Sequence, residues 1–186
     1  MFPSLQGGPH NHQIAALSVA LSEASQPDFH EYITQVKKNA KALAASLISK
    51  GYIIVTNGTD NHIVLWDLRP SDISGSKIEK ILEKCDISVN KNSVRGDISA
   101  VTPGGVRLGT PAMTTRGMKE EHMHFIGDLL HEAVELALRV QRKSSSKKLA
   151  DFLAILNSTE FEIEIKHIKN KVETLALKFP MPGLVP

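Results

Sequence analysis

Two long runs of helical periodicity constrain this chain more than anything else in its sequence. Ile33, Val36, Ala40, Leu43, Ala44 and Leu47 recur at steps of three and four, with Lys37, Lys38 and Lys41 on the opposite side. The same rhythm returns in Met123, Ile126, Leu129, Leu130, Val134, Leu136 and Ala137. Such spacing lines apolar side chains along one face of an α-helix. The first run predicts a helix from Asp28 to Lys50, with Pro27 suited to its first turn and Gly51 to the position just past its end. The second predicts a helix from Lys119 to Gln141. The first would be about 33 Å long at about 1.5 Å per residue, enough to bridge two lobes of a protein.

Short strand-like runs fill the space between these helices. YIIVT (Tyr52 to Thr56) and HIVLWDL (His62 to Leu68) are joined by the turn-rich NGTDN, and ISVN and GVRLGTPA follow further on. SGSKIEKILEKC reads as a short amphipathic helix with Ser74 as its N-cap. KNSVRGDISAVTPGG reads as a long polar loop. After the second long helix, RKSSSKK is a solvated linker, and KLADFLAIL and EIEIKHIKNKVETLALKF are two further helices. Upstream, NHQIAALSVAL (Asn11 to Leu21) is apolar on every side, the pattern of a helix buried against some other surface. The expected fold is α/β, and α+β in layout: a few short strands covered by helices.

Composition narrows the function classes. The 186 residues carry 22 basic and 20 acidic side chains, a formal charge of +2. That balance argues against nucleic acid or an anionic membrane as the main partner. No apolar stretch approaches the roughly 20 residues that span a bilayer, and no basic segment followed by an apolar core marks a secretory leader. A cytoplasmic protein is expected, with a mitochondrial one left open. Cys85 is the sole cysteine, which excludes an intramolecular disulfide and suits a buried structural thiol.

Four features can carry chemistry. Gly7 and Gly8, in Gln6-Gly7-Gly8-Pro9 ahead of the first helix, can offer backbone N–H groups to a phosphate; taken alone, a plain tight turn is the better reading. Arg107, in an apolar strand, is costly to bury unless it meets an anion, and its planar fork suits a carboxylate. An internal ion pair with one of the chain's own acids stands level with that reading. Asn92 and Ser93 offer the mixed donors and acceptors a polar heterocycle needs, although such loops are commonly only turns. His10, His12, His122, His124 and His131 lack the spacing of a metal site, and no metal is expected. No Walker loop, dinucleotide fingerprint or Gly-x-Ser-x-Gly elbow occurs. The lysines fall on helical polar faces, in the serine linker or in the loop around residue 90.

Taken in order, FPSLQGGPHNH, GTDNHIVLWDL, VNKNSV and GGVRLGTPAMTTRG resemble serine hydroxymethyltransferase along essentially the whole chain. The tail, Phe179-Pro180 followed by Pro182-Gly183, looks most like the plant-type branch. The resemblance implies the C-terminal part of a fold-type I pyridoxal-phosphate transferase, which interconverts serine and glycine with tetrahydrofolate as the one-carbon carrier. It implies that Gly7 and Gly8 reach the pyridoxal 5'-phosphate phosphate of a neighbouring subunit, and that Phe2 lines that subunit's folate site. Arg107 would hold the substrate carboxylate, Asn92 the pterin ring, and Ser99, Ala100 and Val101 would lie near the folate. No catalytic residue is assigned within these 186 residues.

The resemblance also implies a division of the chain. Residues 1–24 would end a large cofactor-binding domain, 25–50 would form a bridging helix, and 51–186 a small C-terminal domain. The family's large domain would precede Met1, and with it the lysine that binds the cofactor covalently, the acid at the pyridine nitrogen and the histidine stacked on the ring. The chain alone is therefore expected to be inactive. Arg95 stands where the family usually has proline, which loosens the loop carrying Asn92. Serine or glycine, tetrahydrofolate and other subunits are the expected partners, in a homo-oligomer or with a full-length subunit. The rival readings are a non-catalytic module that modulates a full-length subunit, and a folded remnant without function.

Overall fold

A computed structural model of the protein describes residues 2–99 and 101–183. Its helices are α1 (Asn11–Ala24), α2 (Pro27–Ser49), α3 (Gly75–Lys84), α4 (Pro111–Thr115), α5 (Glu120–Lys143), α6 (Leu149–Leu156) and α7 (Glu162–Ala176). Its strands are β1 (Ile53–Ile54), β2 (Ile63–Asp67), β3 (Asn90–Asn92) and β4 (Gly105–Gly109). They form one antiparallel sheet in the order β1-β2-β4-β3. The α/β class and the small-domain layout read from the sequence are those observed.

The two long helices form where their periodicity places them, and they pack on each other. Val36, Ala40, Leu43, Ala44 and Leu47 of α2 are buried, as are Met123, Leu129, Leu130, Ala133, Val134 and Ala137 of α5. They approach closely at Gly127, where a Cβ would stand 2.2 Å from Ser46 Oγ. Pro27 opens α2, and Gly51 follows its end with φ 86°, a left-handed conformation that glycine takes without strain. Asn39 is fully buried on α2, and its Nδ2 donates to Thr114 Oγ1 at 2.8 Å and to the Met118 carbonyl at 2.9 Å. These bonds offset the cost of burying an amide and tie α2 to α4.

Four local expectations change. The run YIIVT gives only a two-residue strand, because Thr56 and Asn57 turn into positive φ and end it. The expected strand ISVN keeps only its last residue, Asn90, and extends into Lys91 and Asn92, which read as the start of a loop. Ile87 and Val89 pack against the core instead of joining the ladder, so the backbone reaches β4 only at Asn90. Pro111–Thr115, read as the end of a strand and a turn, is helical, with the proline at the first helical position. Lys77 leaves the wet faces altogether. It is buried, its Nζ donates to Gln141 Oε1 at 2.6 Å, and burial lowers its pKa.

The helix α1 has no buried residue. Ile14, Leu17, Val19 and Leu21 are each more than half exposed, at 57%, 60%, 58% and 62%. Among the described residues no helix is long and apolar enough to cross a membrane.

Candidate functional site

The register of the sheet decides which candidate side chains meet. Arg107 lies directly opposite Leu65 on one side and Asn90 on the other, and Asn92 lies opposite Gly105. Paired residues of an antiparallel ladder project to the same side. Arg107, Asn90 and Asn92 therefore share one face with Ile63, Leu65 and Asp67. The opposite face, with Val64, Trp66, Val106 and Leu108, is buried under the helices. Arg107 is exposed, and among the described residues it makes no ion pair and no side-chain hydrogen bond. Among the described residues no acid supplies the internal ion pair that the sequence left open.

Beside this face, one acid closes the loop between β3 and β4. Asp97 Oδ2 accepts from Val94 N at 2.9 Å and from Gly104 N at 2.8 Å, drawing the two ends of the loop together. Arg69 reaches the same carboxylate, with Nη1 3.6 Å from Asp97 Oδ1. It also grips Asp67 with two parallel bonds, Nε to Oδ1 at 3.0 Å and Nη2 to Oδ2 at 2.7 Å. Those bonds hold the buried Asp67 carboxyl below its usual pKa, against the opposing effect of burial. The Arg69 side chain passes over Gly104, where a Cβ would stand 2.5 Å from its Cγ. Sequence reasoning missed Asp67, Arg69 and Asp97. The only local signal is the acid and base two apart in WDLRP; nothing in the polar run KNSVRGDISAVTPGG marks Asp97 as the residue that closes the loop.

Ser99 and Val101 project from the closed loop; Val101 is 77% exposed, and Ser99 Oγ accepts from its N–H at 3.2 Å. Ala100 lies outside the described residues. Asn92 donates from Nδ2 to the Ser93 carbonyl at 2.7 Å. Arg95 and Gly96 are the central residues of a turn closed by Asp97 N donating to the Val94 carbonyl at 3.0 Å, with Gly96 at φ 97°. A positive φ at the third position marks a type II turn, whose second position favours proline. Arg95→Pro should therefore stabilise the chain by about 0.4–1 kcal/mol, by restricting the unfolded state. Urea unfolding reads this as a raised midpoint at constant slope, and a lowered midpoint refutes it.

Phe2, Gly7 and Gly8 lie apart from these residues in the exposed segment before α1, and no hydrogen bond among the described residues joins the two groups. Neither glycine takes a left-handed backbone, and a Cβ on Gly8 would meet nothing within 4 Å. No hydrogen bond among the described residues occupies either N–H. Among the described residues, neither backbone conformation nor crowding at the Cβ position requires glycine at either place.

Other titratable groups are engaged structurally. Cys85 is buried, and burial raises its thiol to about 11. Tyr52 stacks edge-on against Trp66, its hydroxyl stands 2.7 Å from His131 Nδ1, and burial pushes its pKa to about 12. His122 Nδ1 accepts from Lys119 N at the start of α5. Among the described residues no three His, Cys, Asp or Glu side chains cluster in a way that could hold a metal ion.

Comparison with known proteins gives this arrangement a context. The family described as serine hydroxymethyltransferase matches residues 1–130. Serine hydroxymethyltransferase 4 of Arabidopsis thaliana is 51% identical over 186 residues, covering 100% of this chain and 38% of the relative. The serine hydroxymethyltransferase of Bombyx mori is 48% identical over 98% of the chain and 39% of its own length. The cytosolic enzyme of Oryctolagus cuniculus is 44% identical over 99% of the chain and 38% of its own length. The chain thus spans a little over a third of the length of these relatives.

Proposed function

Since the chain belongs to the serine hydroxymethyltransferase family, we propose that it forms the C-terminal part of an enzyme that interconverts serine and glycine. Tetrahydrofolate is the one-carbon carrier of that reaction and pyridoxal 5'-phosphate its cofactor. The observation that carries the proposal is Arg107, an exposed guanidinium without an acid partner among the described residues, on the same open sheet face as Asn92.

Each residue has a role its chemistry supports. The Arg107 fork binds the substrate carboxylate through two charge-assisted hydrogen bonds and so orients the amino acid. The Asn92 carboxamide hydrogen-bonds the pterin ring. The closed loop presents Ser99, Ala100 and Val101 to the folate, with Asp97 and Arg69 holding its ends. Gly7 and Gly8 offer free N–H groups and an approach without side chains, which fits a phosphate; this contact, and that of Phe2 with folate, is made to a neighbouring subunit, so the working form is an oligomer. When bound, the cofactor supplies an electron sink for bonds at the substrate α-carbon.

The division of the chain follows the same reading. Residues 1–24 belong to the end of the large domain, 25–50 bridge, and 51–186 form the small domain. The exposed apolar side chains of α1 support it, since so continuous an apolar surface is ordinarily covered.

A chimera tests the proposal. These 186 residues replace the matching segment of Arabidopsis thaliana serine hydroxymethyltransferase 4. The chimera should cleave serine with tetrahydrofolate within about tenfold of the parent, a barrier change below about 1.4 kcal/mol. The 186-residue chain alone should show no turnover. A folded, oligomeric chimera without activity would refute the reading. An isolated chain that alters the rate of an added full-length relative would favour the modulating module instead.

A further inference from the structure

The segment joining α5 to α6 sets three consecutive serines in a strongly basic stretch, Arg142-Lys143-Ser144-Ser145-Ser146-Lys147-Lys148. Ser144 to Lys148 lie outside the helices, and Ser144 (φ −71°, ψ 140°) and Lys148 (φ −68°, ψ 146°) have extended backbone. The three hydroxyls are not equivalent. Ser144 Oγ donates to the Val140 carbonyl at 2.9 Å, closing the last turn of α5. Ser146 Oγ donates to the Asp151 carboxylate and accepts from Lys148 N at 3.1 Å, organising the start of α6. Ser145 is exposed, and its hydroxyl has no partner among the described residues.

The charges around Ser145 are ordered as well. Arg142 stands three residues before it and Lys143 two before. Lys143 pairs with Glu160, and Lys147 with Asp72 at 2.7 Å. The Arg142 guanidinium meets no carboxylate among the described residues, and only its Nε is engaged, donating to the Leu138 carbonyl at 3.3 Å.

We propose that Ser145 is a phosphorylation site for a basophilic serine/threonine kinase, whose acidic groove reads Arg142 and Lys143. Arginine meets carboxylates bidentately and so fixes the register of a substrate segment. The register places the free hydroxyl, and not either engaged one, at the acceptor position. Ser145 Oγ attacks the γ-phosphorus of ATP, the bond from that phosphorus to the bridging oxygen of ADP breaks, and the hydroxyl proton passes to the kinase's catalytic aspartate. The product carries a charge of about −1.5 to −2 among Lys143, Lys147 and Lys148. It therefore competes with Glu160 and Asp72 for the lysines that now tie the loop to its surroundings.

The experiment uses the folded 186-residue chain, the catalytic subunit of cyclic-AMP-dependent kinase as the basophilic probe, and magnesium ATP, with sites read by tandem mass spectrometry. One phosphate on Ser145 is expected. Ser145→Ala should abolish incorporation, and Arg142→Ala should slow it by about tenfold or more. In the urea-unfolded chain, diluted into the assay, Ser146 should be labelled too, because its hydroxyl is then free and Lys143 stands three residues before it. Labelling of Ser144 or Ser146 in the folded chain to the extent of Ser145 overturns the proposal, as does no labelling of Ser145.

Discussion

In the chimera with Serine hydroxymethyltransferase 4, Arg107→Ala lowers kcat/KM for serine by about 10²–10⁴-fold, from the loss of two hydrogen bonds to a charged group at about 1.5–3 kcal/mol each. Arg107→Lys recovers only part of that loss, because an ammonium replaces a planar fork with a point charge. Most of the effect falls in KM, since the carboxylate is bound in the ground state as well as the transition state. Thermal unfolding of the isolated chain is the control. Arg107 is exposed and unpaired among the described residues, so its truncation should move stability by less than about 0.5 kcal/mol, as for an ordinary surface site. A variant that folds and keeps its serine kinetics would remove Arg107 from the carboxylate site. A variant that unfolds would make it a structural residue.

Arg107 was legible as a candidate because an arginine inside GVRLG breaks the apolar character of its own strand. Its neighbourhood was not, because pairing with Asn90 and Leu65 is a fact of register, and register depends on partners distant in the chain. The same distinction runs through the fold. Pro27, Gly51 and the three-and-four spacing fixed the limits of α2 locally. The placement of β3 at Asn90–Asn92 is set by a core that takes Ile87 and Val89, which no local pattern in ISVN announces. Lys77 shows the same limit from the other side. Its place in an amphipathic helix suggests solvent, and the arrival of Gln141, 64 residues away, together with the Phe152 ring 5.3 Å from its Nζ, allows it to stay buried. Asp97 closes its loop through Val94 and Gly104, ten residues apart, with help from Arg69 on a different element.

Gly75 carries the largest stability effect expected of any glycine in the chain. It opens α3, its N–H donates to the Pro103 carbonyl at 2.9 Å, and a Cβ on it would stand 1.9 Å from the Gly105 carbonyl oxygen. The obstacle is backbone, which no rotamer change relieves. Gly75→Ala must part α3 from β4, where Ile78, Ile81 and Leu82 are fully buried. The expected loss is about 3 kcal/mol or more, at the upper end for overpacking and backbone effects. Urea unfolding reads it as a lowered midpoint, and a change below about 0.5 kcal/mol, the scale of an ordinary surface substitution, would show that the close approach is not required. Gly8→Ala is the comparison that gives this its meaning. With open space at the Cβ position and no left-handed backbone, it should leave the chain's stability within about 0.5 kcal/mol. It should nevertheless weaken cofactor retention in the chimera, because the methyl group stands where the proposed phosphate approaches. Gly75 is small for the sake of this chain's own packing. Gly8, on the proposed reading, is small for the phosphate that approaches it.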